Sequence, residues 1–406
     1  MQSTARAVSV ASILLSLSVI AHADVISDWN EKGVQATIKA AQPPFVQTRN
    51  IAIMHLAMFD AVNAIDRRYT PYREQPQVKK GASREAAAGA AAHLTLLRLY
   101  PDQAKDLDNY YTASIASIPG GEAKADGIRL GEQVASDFLD YRAKDGANSP
   151  IKYRPYTAPG IYVPTALPVA INWGRITPFA LAQSSQFRPA PPPSLTSELW
   201  KKDCDEVKKM GAKVGSARTP DQTNIARFWE ATGPVLHNPV LRQVALAKKL
   251  DVLDNARLFA LYSMAMADSY IAVFDAKYTY AFWRPVTAIR NGDMGGQALT
   301  DGDDGWEPLI ATPMHPEYPC AHCINSAAGA GVLEVFFGDQ VPEFTMSSPT
   351  NAGFTRKFSR LSDYVNESIE ARIYDGVHYR NSNEVGAAMG RKIAEYTVQN
   401  YLKPVH

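Results

Sequence analysis

Ten of the chain's 27 prolines fall between Pro150 and Pro193, and no other feature limits the fold as strongly. Proline lacks the amide hydrogen that a helix ladder needs, and it pushes the residue before it into extended backbone. The segment therefore cannot be a helix, and it is too long for an ordinary connection. It also carries Tyr153, Tyr156, Tyr162, Trp173, Phe179 and Phe187. Those rings argue for an ordered crossover packed on a surface.

On either side the text reads as helix. Ile51, Met54, Met58, Val62 and Ile65 step by three and four along one face of a helix over 47–65. Further helices are expected over 83–99, 102–117 and 121–144, giving an N-terminal bundle over 24–149. Beyond the crossover (150–193), a C-terminal bundle is expected over 194–406. It contains helices at 195–214, 239–281, 322–337, 357–370 and 383–401, and one opened by the capping box Thr219-Pro220-Asp221-Gln222. Strand signals are scarce. The fold class is all-α, two helical bundles joined by a Pro-rich crossover.

Lys+Arg 42 against Asp+Glu 41 leaves a net charge of +1. No bulk field exists to hold nucleic acid or an anionic membrane, so any anion must be bound by a local cluster of cations. Residues 1–23 read as a secretory signal: Arg6, the apolar run Ala7 to Ile20, then Ala21-His22-Ala23. An uncleaved anchor is the alternative. Later stretches contain no 18 uncharged apolar residues, so the expectation is a periplasmic or secreted protein with no membrane attachment after cleavage. Three cysteines, Cys204, Cys320 and Cys323, are an odd number and argue against a disulfide framework.

Three constellations carry chemistry. Lys277 and Arg284 are seven residues apart in an aromatic run that ends at Pro285, close to two helical turns, so both can project from one face. They form either a solvated basic face or a pocket that wants an anion between them. His315-Pro316-Glu317-Tyr318-Pro319 then leads to Cys320-Ala321-His322-Cys323 and a run of small residues. That places Cys320 to His322 at a helix N-terminus, which favours an anion. His322 there is either an acid or base toward that anion or a capping, core histidine. Finally Arg372 and His378 flank Gly376, a residue that permits a turn aiming both inward.

In this order the three resemble the signature of the vanadium-dependent haloperoxidases and the type 2 phosphatidic acid phosphatase superfamily: K-x6-RP, PSGH and SR-x5-H. Here these stand as Lys277…Arg284-Pro285, Pro319-Cys320-Ala321-His322 and Ala371-Arg372…His378. The stretch Asp275 to Ile289 and the helix Met54 to Ile65 are similar to the haloperoxidase branch. The resemblance implies a vanadate cofactor, with His378 as its axial metal ligand. Lys277, Arg284 and Arg372 would neutralise the equatorial oxygens, and His322 would exchange protons with the apical one. Cys320 and Ala321 would join the cofactor-binding set.

It further implies hydrogen peroxide, halide and a small organic acceptor as partners, with oxidation of halide and no vanadium redox change. His315, seven residues before His322, stands where it would favour bromide over chloride. The alternative on the same pocket is an acid phosphatase that uses His378 as nucleophile. The sequence is compatible with a homo-oligomer. Four positions depart from the family pattern: Cys320 for Ser, Ala321 for Gly, Ala371 for Ser and Ser382 for Asp.

Overall fold

The longest helix organises the rest. In a computed structural model describing residues 24–78, 81–294 and 302–405, α9 (Val252–Tyr280) starts where the Asp251 side chain accepts from the amide of Asp254. It stops where Ala281 turns into left-handed backbone. Apolar residues surround it on all sides, as in a helix meant for a protein interior. It is long and apolar enough to cross a bilayer, yet 94% of its most apolar window is buried inside the protein. The export signal read over 1–23 lies outside the described residues.

Two groups of helices pack on α9. The N-terminal group is α1 (Val25–Lys39), α2 (Pro44–Asp66), α3 (Arg84–Leu99), α4 (Ala104–Ala116) and α5 (Glu122–Arg142), with α2 lying directly on α9. The C-terminal group is α6 (Glu198–Gly211), α7 (Pro220–Phe228), α8 (Pro234–Lys248), α10 (Pro285–Arg290), α11 (Ala321–Phe337), α12 (Leu361–Tyr374) and α13 (Arg380–Asn400). Of these, α11 and α13 form the tightest pair. A Cβ on Gly386 of α13 would lie 2.6 Å from the Cys320 carbonyl, and one on Gly390 would lie 2.3 Å from that of Ile324. Only glycine allows these backbones to approach so closely. One continuous core runs through both groups.

Three readings of the sequence are corrected. The helix expected over 239–281 is two, because Lys249 adopts left-handed backbone and Asp251 caps a new start. The helix expected over 357–370 begins only at Leu361. Residues before it form β2 (Thr355–Arg360), antiparallel to β1 (Gln340–Ser347), with Phe344 opposite Phe358. Period-two burial over so short a span is easily lost among helical signals. Helix α1 was not anticipated. It is capped by Asp24, whose carboxylate accepts from the amides of Ile26 and Ser27.

The crossover is tied to α9 by one buried carboxylate. Asp268 accepts from the amides of Phe179 (2.7 Å), Ala180 (2.7 Å) and Leu181 (2.9 Å). Burial lifts its pKa to about 6, and the three amides oppose that rise. Arg188 adds a two-pronged ion pair to Asp275 at 2.7 and 2.8 Å. Replacing Asp268 by Ala leaves three buried donors without an acceptor, at roughly 1–3 kcal/mol for each that finds no water. The expected loss in urea unfolding is about 3 kcal/mol or more, with faster proteolysis within 179–193. Asp268→Asn, which keeps one acceptor oxygen, should recover part of it.

Candidate functional site

Four segments deliver five side chains to one place at the end of α9. Lys277, in the last turn of that helix, is fully buried. Its Nζ donates to the carbonyls of Pro316 (2.9 Å) and Glu317 (2.7 Å). Arg284 gets there by a different route from the one expected. The helix ends at Tyr280, four residues short of it, and residues 281–283 pair with 160–162 as a short bridge. Arg284 is then the N-cap residue of α10, with Pro285 at its first position. Its Nε donates to the His315 carbonyl at 3.0 Å, Nη1 to the Val377 carbonyl at 2.8 Å, and Nη2 reaches His315 Nδ1 at 3.0 Å. Both are buried, so they do not form a solvated basic face.

Arg372 lies in the last turn of α12. It donates to the Trp229 carbonyl at 3.1 Å and pairs with Asp375 at 2.6 Å, while its buried Nε has no partner. At Gly376 φ is +83°, and a Cβ there would lie 2.5 Å from the Gly211 carbonyl. That turn reverses the chain, so His378 comes back beside Arg284. Arg284 Nη1 donates to His378 Nε2 at 3.1 Å. The opposite ring nitrogen, Nδ1, meets Glu317 Oε1 at 2.6 Å.

Glu317 is the residue that the sequence reading quoted without giving it a role. Set between Pro316 and Pro319, it is fully buried, and its carboxylate also accepts from the Tyr379 amide at 3.3 Å. A carboxylate on Nδ1 assigns the ring proton there and leaves the Nε2 lone pair facing the cations. An acidic side chain flanked by prolines just ahead of a basic cluster was the available signal. Asp375, the partner of Arg372, was missed for want of one.

His322 stands in the first turn of α11, half-buried, with Nε2 3.3 Å from the Glu230 carbonyl. Cys320 is the N-cap of that helix, its sulfur accepting from the Cys323 amide at 3.3 Å. The sulfur does the work of the expected serine oxygen, and the Ala321 and His322 amides are left at the open helix start. All three cysteines are free thiols. Of the other departures, Ser382 accepts from the Cys320 amide through its carbonyl at 3.1 Å, and Ala371 is simply buried.

Burial dominates the electrostatics. It lowers His378 well below the usual imidazole value, with Arg284, Lys277 and Arg372 adding to the effect. His322 is lowered by burial and Arg372, and His315 by burial, Lys277 and Arg284. All three histidines are therefore neutral near pH 7. Burial depresses Lys277 strongly, helped by Arg284, and brings Arg284 to about 10. The carboxyls of Glu317 and Asp375 are raised to about 7 by the same burial, against the pull of the cations. Burial raises the Cys320 thiol, but Cys323 and Arg372 more than offset it, while Cys323 is driven well above its ordinary value.

Three buried basic groups, Lys277, Arg284 and Arg372, meet the carboxyls of Glu317 and Asp375 around one imidazole lone pair. That donor set suits a tetrahedral oxyanion and does not suit a bare metal cation. The unpartnered Arg372 Nε has a donor to offer it, and Arg284 Nη1 can pass from His378 to an incoming oxygen.

Fold and site together define an all-α protein of two helical bundles with a buried cluster of basic side chains at the end of its central helix. The chain is similar to vanadium haloperoxidases over most of its length. Residues 257–406 match the VCPO second helical-bundle domain. The vanadium chloroperoxidase of Curvularia inaequalis is 24% identical over 433 residues, covering 84% of this chain and 70% of that protein. A bacterial vanadium-dependent iodoperoxidase structure superposes with a TM-score of 0.80 at 25% identity, covering 94% of this chain and 98% of the other. An apo-type bacterial vanadium-dependent chloroperoxidase shares the fold at a TM-score of 0.70 and 17% identity, covering 89% and 96%.

Two expectations follow from this geometry. Cys320→Ser should keep the α11 cap and leave stability nearly unchanged, whereas Cys320→Ala removes the acceptor and should cost about 1 kcal/mol in denaturant unfolding. The second concerns pH. Lys277 has a depressed folded value, so its charge is present below that value and lost as pH rises through it. Inorganic phosphate, titrated calorimetrically, should bind progressively more weakly as pH rises, and Lys277→Arg should carry binding to higher pH because guanidinium stays charged.

Proposed function

We propose that this protein is a vanadate-dependent haloperoxidase, which oxidises halide with hydrogen peroxide for transfer to a small organic acceptor, and that it is exported. The observation that carries this reading is the Glu317–His378 pair, which presents a neutral Nε2 lone pair to Lys277, Arg284 and Arg372. His378 Nε2 would hold the vanadium, and the three cations would hold the oxygens. Bound vanadate supplies a Lewis-acid centre that activates peroxide toward a halide.

The chain's own contribution is electrostatic and protonic. Lys277, Arg284 and Arg372 lie in a water-poor interior, where their attraction for developing negative charge is greater than in solvent. Glu317 fixes the ring orientation of His378 and makes its Nε2 a better donor. His322, neutral and half-exposed at the mouth, would take a proton from peroxide at its ring nitrogen and return it to the departing oxygen. The free amides of Ala321 and His322 add the positive end of the α11 dipole.

Replacing His378 by Ala should abolish vanadium retention, read by elemental analysis after dialysis. Arg284→Ala and Arg372→Ala should each weaken it by roughly 1.5–3 kcal/mol, the worth of a charge-assisted hydrogen bond. His322→Ala should retain vanadium while halide oxidation falls by about 10²-fold or more. Equal loss of vanadium in both histidine variants would refute this division of roles. A phosphoesterase would instead hydrolyse a phosphomonoester without added vanadate, with His378 as nucleophile stabilised by Glu317.

Within the peroxidase reading, bromide should be preferred to chloride. His315 places a neutral imidazole against Arg284 and edge-on to Phe274, with ring centroids 5.4 Å apart, a polar lining beside the site of oxidation. Vanadate-loaded protein should show a higher kcat/KM for bromide than for chloride, and His315→Phe should narrow the difference. A higher value for chloride in the unmodified protein would overturn it.

A further inference from the structure

The last turns of α9 and the start of the crossover enclose a cavity of about 400 Å³. Clefts that hold small organic molecules measure roughly 300–1,000 Å³. Its walls are aromatic. Phe274 and Tyr278 stack along α9 with centroids 6.4 Å apart, and Tyr153 meets Tyr278 edge-on at 6.2 Å. Its charge is one-sided. Lys152, Arg154 and Arg175 all line it, and among the described residues none has a carboxylate partner. The lining carboxylate, Asp275, is already held by Arg188 at 2.7 and 2.8 Å.

The cavity is also next to the oxyanion site. Phe274 lines it and touches His315 on its other side, and His315 Nδ1 is 3.0 Å from Arg284 Nη2. Phe274 and His315 thus lie in line between the cavity and Arg284. Flat apolar walls select a ring, and uncompensated cations select an anion attached to it.

We propose that this cavity binds an aromatic carboxylate, its ring against Phe274 and Tyr278 and its carboxylate on Arg175 and the neighbouring cations. Taken with the haloperoxidase reading, on which this last point rests, such a molecule is the organic acceptor. Hypohalous acid transfers its halogen to a ring carbon, that carbon's proton leaves, and the hydroxide of the reagent departs with the proton as water.

The test is calorimetric titration of the mature chain, without vanadate, using 4-hydroxybenzoate and its neutral counterpart 4-hydroxybenzyl alcohol. The acid should bind at least about tenfold more tightly than the alcohol. Arg175→Gln should remove most of that difference while leaving binding of the alcohol and retention of vanadate unchanged. Tyr153→Ala should weaken both ligands. Equal affinity for acid and alcohol would overturn the proposal. So would acid binding that survives the joint replacement of Lys152, Arg154 and Arg175 by Gln, or a Kd for the acid weaker than about 10 mM. A chain that discriminates the two ligands but retains no vanadium keeps the cavity and sinks the haloperoxidase reading. One that retains vanadium without discriminating does the reverse.

Discussion

Burying three cations around a neutral imidazole is the constraint on which this structure turns. An isolated ammonium or guanidinium moved from water into a protein interior costs several kcal/mol even after relaxation. The chain meets that cost with carbonyls and carboxylates placed one by one. Pro316 and Glu317 carbonyls receive Lys277, those of His315 and Val377 receive Arg284, and Asp375 with the Trp229 carbonyl receives Arg372. None of these partners comes from the helix that carries the cation, except Asp375 just beyond the end of α12. The site therefore exists only when α9, α12 and the extended run before α11 are all docked.

Glu317 links those elements more than any other residue. Its carbonyl holds Lys277 and its carboxylate holds His378, so one residue sets the ammonium and the imidazole relative to each other. The extended backbone around it follows from Pro316 and Pro319, which deny it a helix. Behind it, Gly386 and Gly390 let α13 lie against α11, which brings the His378 segment to the Cys320 cap.

Much of this was legible in the residues. Helical signals located α2, α3, α5, α11 and α13 to within a few positions. Lys277, Arg284, His322, Arg372 and His378 could be singled out by chemical type and order. The geometry joining Lys277 to Arg284 could not. Two helical turns were expected where the chain has a left-handed break at Ala281, and nothing in an alanine announces a positive φ. Glu317 and Asp375 escaped for a related reason. A carboxylate is ordinarily a surface group, and its burial is decided by cations that are distant in sequence. The hairpin of β1 and β2 was hidden by its brevity.

The tie between Asp268 and the crossover has a consequence for how the chain comes into being. The amides that Asp268 receives lie 87 to 89 residues earlier in the sequence. During synthesis the crossover emerges before α9, when only its contacts with the N-terminal bundle, such as Tyr72 and Arg142 against residues 177–179, can form. At ordinary translation speeds the delay is on the order of ten seconds. Through that interval the amides of Phe179, Ala180 and Leu181 lack their carboxylate, and the crossover is held by the N-terminal bundle alone.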